Sequence, residues 1–201
     1  MSMADKIKES TVILASNSPR RKALLDMLNI QFIQVSPDTE EEVKEGLDSE
    51  EVAVNSATKK ARSVSKSFPK NPILGVDTIV VIDNLILGKP EDIDDARRML
   101  RLLSGRLHTV ISAICVMMNG KIISDLEKTF VRFRNISEKQ ITDYIRTGEP
   151  MDKAGAYAVQ GKGALLIEEI YGDFYNVMGL PIVKLFNILN DIGINILSDN
   201  E

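Results

Sequence analysis

The sequence holds 201 residues, 44% hydrophobic and 27% charged, enough for one domain, or two lobes sharing a sheet, with a sizeable core. Its net charge of -4 excludes bulk attraction to a nucleic-acid polymer or an anionic membrane, so any anion site must be a local basic pocket in an acidic chain. One cysteine and one histidine exclude an intramolecular disulfide and a structural zinc centre, which leaves carboxylates, and with them Mg2+ or Mn2+, for any metal chemistry.

Residues 1–10 are polar and expected to fray; the polar N-terminus is not expected to act as a signal peptide, and no apolar run approaches a membrane span, so the expected compartment is the cytoplasm. Thr11 to Ala15 reads as a short buried strand, followed by Ser-Pro and a helix whose apolar stripe is Ala23, Leu24, Met27 and Leu28. Gln31 to Val35 is a second strand, Asp38 to Glu45 an acidic loop, and Ser49 to Ser67 a helix. Two apolar runs between Ile73 and Leu87 break at Asp83-Asn84 and predict a hairpin. A helix over Glu91 to Leu103 places Ala96, Met99, Leu100 and Leu103 on one face. Val110 to Met118 and Lys121 to Phe133 flank Asn119-Gly120, the strongest short turn signal in the chain. Ser137 with Gln140 forms a capping box for a helix to Arg146. A glycine-rich segment, Gly148 to Gly163, then leads to a strand at Ala164 to Ile170 and a closing helix over Gly179 to Leu189. Cys115, alone in an apolar run, reads as a small buried hydrophobe. The order of elements predicts an α/β fold with a mixed twisted sheet flanked by helices.

The turn Ser16-Asn17-Ser18-Pro19-Arg20-Arg21 carries chemistry of its own. Ser18 is a good N-cap and Pro19 sits where its missing N–H costs nothing. Arg20 and Arg21 then fall in the first helical turn, where cations oppose the helix dipole. An anion shared by the guanidinium groups and the free N–H groups would relieve that conflict; solvated surface arginines are the alternative. Asp77 interrupts the near-continuous apolar run Ile73 to Val81, and a buried carboxylate there must be paired, hydrogen-bonded to nearby backbone or metal-bound. Lys60 falls within the apolar series Ala53, Ala57, Lys60, Val64; it either snorkels to the helix edge, the ordinary outcome, or points into a polar pocket. Lys89 follows the first hairpin in Gly88-Lys89-Pro90, and Glu40-Glu41-Glu42 is either a solvated run or the source of one metal-associated carboxylate. There is neither a P-loop nor a dinucleotide-binding glycine signature.

Taken in order, these segments resemble the Maf family of nucleotide pyrophosphatases over almost the whole chain. The resemblance is carried by Leu14 to Arg21, Lys60-Ala61, Gly75-Val76-Asp77-Thr78, Gly88-Lys89-Pro90, Leu103-Ser104-Gly105 with His108, Gly148 to Tyr157, Gln160-Gly161 and Gly172 to Pro181. It implies a single Maf-like domain over residues 1–201, of inosine-triphosphatase-like fold, with two lobes and a central cleft. It also implies hydrolysis of a nucleoside triphosphate to the monophosphate and pyrophosphate with a divalent metal (Mg2+ or Mn2+), and a homodimer. By position, Asp77 would be the catalytic base and a metal-associated carboxylate, with Glu41 the second acidic member. Ser16, Ser18, Arg20, Arg21, Lys60 and Lys89 would hold the triphosphate. The residues Arg20, Thr78 and Gln160 match the dTTP/UTP branch, while Val76, Ser112 and Ala158 depart from the usual pattern. A non-catalytic nucleotide-binding regulator of cell division is the alternative, and a phosphotransferase is disfavoured by the lack of an acceptor motif.

Overall fold

The computed structural model describes residues 7–39 and 48–197. Strand β1 (Val12–Ala15) leads into helix α1 (Pro19–Met27) and strand β2 (Phe32–Val35). Helix α2 (Ser49–Ser65) precedes the long strand β3 (Ile73–Ile82), which folds back as β4 (Leu85–Leu87). After α3 (Ile93–Leu103) come β5 (Leu107–Met118), β6 (Lys121–Phe133) and α4 (Glu138–Ile145). Short 3-10 turns at Glu149–Asp152, Ala154–Ala156 and Gly161–Leu166 precede β7 (Ile167–Tyr171), α5 (Phe174–Met178) and α6 (Ile182–Asp191). The strands form one seven-stranded sheet in the order β2-β1-β3-β5-β6-β7, with β4 on β3. It is mixed: β1 runs parallel to both β2 and β3, whereas β3–β4 and β6–β7 are antiparallel. Among the described residues no helix is long and apolar enough to cross a membrane.

The chain divides into two compact units, the first made of Met1–Asp77, Ser112–Glu127 and Gly179–Glu201, the second of Thr78–Ile111 and Lys128–Met178. In the first unit β1 is buried along its whole length, as a strand with parallel neighbours on both sides must be. Helix α2 faces the sheet with Ala53, Ala57 and Ala61, each at 0% exposure, spaced four residues apart. Their small side chains let the helix backbone come close to β3, where a Cβ placed on Gly75 would lie 2.1 Å from the Ala57 carbonyl oxygen. Cys115, on β5, is fully buried, as its apolar surroundings predict.

The second unit has its own core, built from Ala96, Met99, Leu100 and Leu103 of α3 with Val131 and Phe133 of β6 and Ile141, Tyr144 and Ile145 of α4. Completely buried residues such as Leu100 and Leu103 each contribute about 2 kcal/mol of transfer free energy. Helix α4 begins with the predicted capping box between Ser137 and Gln140. The first hairpin turns through Asp83 and Asn84 at φ of 49° and 63°, the left-handed pair that suits the twist of its flanking strands.

Several sequence expectations fail locally; the closing helix, for one, runs Ile182–Asp191 and does not begin at Gly179. On α1 the buried residues are Leu24 and Leu25; Ala23 and Met27 are exposed, so the buried face lies about one residue from the predicted stripe. The last strand starts at Ile167, because Ala164 to Leu166 complete a 3-10 turn whose Leu165 is 70% exposed. The expected fraying over residues 1–6 and the acidic loop at 40–45 fall outside the described residues.

His108, the single histidine, lies in this second unit at 2% exposure. Its Nε2 is 2.8 Å from the Tyr157 hydroxyl, and its ring meets Phe133 and Tyr157 edge-on. Nδ1 is buried with no hydrogen-bond partner of good geometry. Burial lowers the imidazole pKa to about 4, against a smaller opposing pull from the Arg106 backbone, and burial likewise raises the Tyr157 phenol. Because the unfolded chain takes up this proton near pH 6.5 and the folded chain only near 4, stability is full above pH 6.5 and falls as the pH drops towards 4. The expected loss over that window is about 3 kcal/mol. Proton NMR reads this directly, since one imidazole gives all the histidine signals; a midpoint near 6.5 in the folded protein would contradict the assignment.

Candidate functional site

The register of the parallel strands decides what meets at their carboxyl ends. Ala15 of β1 pairs with Gly75 of β3 and with Val35 of β2. Ser16, the next residue, therefore leaves the sheet level with Val76, one residue from Asp77 on a strand about 5 Å away. The carboxyl ends of parallel strands are where open α/β sheets bind ligands.

At that edge the Ser16–Arg21 turn is built by its own side chains. Ser16 is 3% exposed, and its Oγ accepts from the Ser18 backbone N–H at 3.2 Å and from an Arg21 guanidinium N–H at 2.9 Å. Arg21 Nε also donates to the Gly179 carbonyl at 2.9 Å, which ties the turn to the segment before α6. Ser18 is the N-cap of α1, with Pro19 in the first turn, and its Oγ accepts from Arg21 N–H at 3.5 Å, a long bond. Gln34 donates to the Ser16 carbonyl at 2.7 Å and Asn17 to Ser36 Oγ at 2.8 Å, so β2 braces the same turn. Arg20 is half-buried beside it. The first turn of α1 contains no acidic residue, so the helix N-terminus and two guanidinium groups add positive potential at one place.

Asp77 is half-buried in the middle of β3, and its Oδ1 accepts from Lys60 Nζ of α2 at 2.5 Å. Both side chains are largely covered, with 12% of Lys60 and 15% of Asp77 exposed. Of the alternatives the sequence leaves open, the structure therefore selects a charge pair, and Lys60 turns inward instead of snorkelling. The close approach of α2 to Gly75 sets this distance, because it brings the helix carrying Lys60 down onto the strand carrying Asp77.

The second unit holds the other named residues. Thr78 follows Asp77 directly on β3 and is half-buried. Lys89 is exposed in the loop after β4, where the Gly88 carbonyl accepts from Gly155 N–H at 2.9 Å. Gln160 is exposed immediately before the Gly161–Leu166 turn. Nearby, Ala156 adopts a left-handed φ of 58°, unusual for a residue with a Cβ and a mark of a segment held by its surroundings. Glu41 lies outside the described residues. In the Gly172–Pro181 segment Asn176 is completely buried and donates to the Val110 carbonyl and Thr129 Oγ1, a structural duty.

The donor chemistry suits a hard divalent cation. Asp77 offers carboxylate oxygen, and no group of three His, Cys, Asp or Glu side chains converges among the described residues. A cation held here would draw on the Asp77 carboxylate together with oxygens of the ligand and water, the habit of Mg2+ with phosphates. Sequence reasoning gave no role to Glu149, although it lies in the Gly148 to Tyr157 motif, and passed over Tyr144; the two meet at 3.0 Å beside the Gln160 segment.

A family model described as Maf-like protein matches residues 11–192. A dTTP/UTP pyrophosphatase of Dictyoglomus thermophilum is 48% identical over 189 residues, spanning 92% of this chain and 98% of that protein. Those of Aquifex aeolicus and Methanosarcina barkeri are 45% and 44% identical, spanning 91% and 94% of this chain and 96% and 97% of theirs.

Proposed function

The chain belongs to the Maf-like protein family, and from that premise we propose that it is a cytoplasmic enzyme hydrolysing dTTP and UTP between the α and β phosphates, to the nucleoside monophosphate and pyrophosphate. Relatives 44–48% identical over about nine tenths of the chain carry the dTTP/UTP pyrophosphatase name. The structural observation carrying the reading is the covered Asp77–Lys60 pair, whose Asp77 lies two residues beyond Gly75, which pairs with Ala15, the last residue of β1 before the Ser16–Arg21 turn.

Each residue then has a task. The α1 N-terminus, Ser16, Ser18 and Arg20 bind phosphate oxygens, with Arg21 bracing the turn through Ser16 and Gly179 and adding its charge. Lys60 and Lys89 oppose the remaining negative charge, and Lys60 holds Asp77 by Oδ1. Asp77 orients the attacking water and accepts its proton as the oxygen closes on phosphorus. When bound through Asp77 and Glu41, Mg2+ or Mn2+ supplies neutralisation of the phosphate oxygens on which charge builds. Arg20, Thr78 and Gln160 select the base.

Incubation with each nucleoside triphosphate and Mg2+, followed by product identification, tests this directly. UMP or dTMP with pyrophosphate is the expected outcome. Release of inorganic phosphate would refute α–β cleavage, and binding without turnover would favour a nucleotide-binding regulator. Arg20→Ala is expected to raise KM for UTP about tenfold, the worth of a charge-assisted contact, and to weaken base preference. Unchanged kinetics would remove Arg20 from the site.

A further inference from the structure

Gln160 opens the Gly161–Leu166 turn with extended backbone, at φ -98° and ψ 153°, and its side chain makes no capping bond there. The capping is done from elsewhere. Glu149, in the preceding 3-10 turn, accepts from Lys162 N–H through Oε2 at 3.0 Å and from Gly163 N–H through Oε1 at 2.9 Å. The Tyr144 hydroxyl of α4 donates to Glu149 Oε1 at 3.0 Å and accepts from Ala158 N–H at 3.2 Å. The chain two residues before Gln160 and the chain two and three residues after it are thus tied to one pair of side chains.

The glycines on either side of Lys162 show how closely the backbone is drawn in. A Cβ on Gly161, whose φ is +80°, would lie 2.7 Å from Glu149 Oε2. One on Gly163 would lie 2.3 Å from the Ala158 carbonyl oxygen and 2.6 Å from the Tyr144 hydroxyl. Burial pushes the Glu149 carboxyl up, but the Gly163, Lys162 and Tyr144 hydrogen bonds outweigh it and hold the pKa below its ordinary value. The carboxylate is therefore charged, and accepts all these bonds, at neutral pH.

We propose that Glu149 and Tyr144 are positioning residues for base selection: by fixing the backbone on both sides of Gln160 they fix how its amide is presented to the pyrimidine. The inference rests on the reading of Gln160 as a base-selecting residue. A carboxamide carries both a donor and an acceptor. Uracil presents an acceptor at O4 beside a donor at N3, and cytosine presents the reverse. A loosely held amide can flip to match either base, so discrimination between them requires a held one. Because Glu149 caps the turn, the Gln160 amide is released from capping.

The test compares kcat/KM for UTP and CTP in the full-length enzyme with Mg2+, for Glu149→Gln, Tyr144→Phe, Gln160→Ala and the Glu149→Gln/Gln160→Ala double variant. Glu149→Gln turns an amide N–H2 towards a backbone N–H. It is expected to lower the UTP-over-CTP ratio about tenfold, mainly through KM for UTP. Tyr144→Phe keeps the ring packing and is expected to lower the ratio about threefold, which guards against a folding defect in the first variant. Adding Glu149→Gln to Gln160→Ala should cost little further, as expected of residues acting through the same group. A full ratio in Glu149→Gln and Tyr144→Phe, alongside a reduced one in Gln160→Ala, overturns the inference and leaves the base-selection reading standing. Additive losses in the double variant also overturn it. A full ratio in Gln160→Ala removes base selection from Gln160, and the inference falls with it.

Discussion

Asp77→Asn is expected to lower kcat for UTP about a thousandfold while leaving the affinity for a non-hydrolysable UTP analogue within about fivefold of the original. The substitution is nearly isosteric, and the amide oxygen still accepts from Lys60, whose Nζ sits 2.5 Å from Oδ1 in the parent protein. What disappears is an oxygen able to take a proton and to carry negative charge towards a cation. The described hydrogen bonds among Ser16, Ser18 and Arg21, which build the proposed phosphate-binding turn, do not involve Asp77. Steady-state kinetics with pyrophosphate detection, beside calorimetric titration of the analogue, separate the two effects. A wild-type rate would take Asp77 out of the chemistry.

Gly75→Ala tests the packing that makes the pair possible. The added Cβ would face the Ala57 carbonyl oxygen at 2.1 Å and the Ala61 backbone nitrogen at 2.8 Å, neither of which can rotate away. The helix backbone itself must retreat from the strand. Overpacking of this kind costs about 3 kcal/mol, which in a domain of this size lowers Tm by on the order of 10 °C. Since α2 carries Lys60 and β3 carries Asp77, kcat is expected to fall as well, and both losses are read from one purified variant. A Tm within a degree or two of the parent would show that the helix is free to shift and does not set the geometry.

Much of the fold is legible because its signals are local. Asn119-Gly120 and Asp83-Asn84 fix their turns by backbone chemistry, and the Ser137–Gln140 box is complete within four residues. The face of α3 follows from periodicity alone. The failures come where local apolarity and burial part company. Met27 and Ala23 satisfy helical spacing, yet the neighbouring Leu24 and Leu25 turn inward, because the pair of large residues sets the roll of so short a helix. Ala164 to Leu166 is as apolar as a strand, but capping by Glu149 winds it into a 3-10 turn first.

The site divides in the same way. The features that suggest an anion site at Ser16–Arg21 (the Ser18 N-cap, Pro19 and two arginines in the first helical turn) are written in the turn itself. That Lys60 reaches Asp77 depends on α2 lying close against β3, a contact between residues 17 apart that spacing rules do not encode. Glu149 is less legible still: its partners Tyr144, Lys162 and Gly163 are brought together only after α4 and the 3-10 turns have packed.

Cys115 gives this protein a built-in clock. It is the single thiol of the chain, it is 0% exposed, and it lies on β5, an interior strand between β3 and β6. A thiol reagent can react only when that strand comes out of the sheet, so the labelling rate counts openings of the structure one event at a time. A nucleotide that binds the closed form alone slows labelling in proportion to its occupancy, which turns one silent core residue into a gauge of ligand affinity that requires no catalysis.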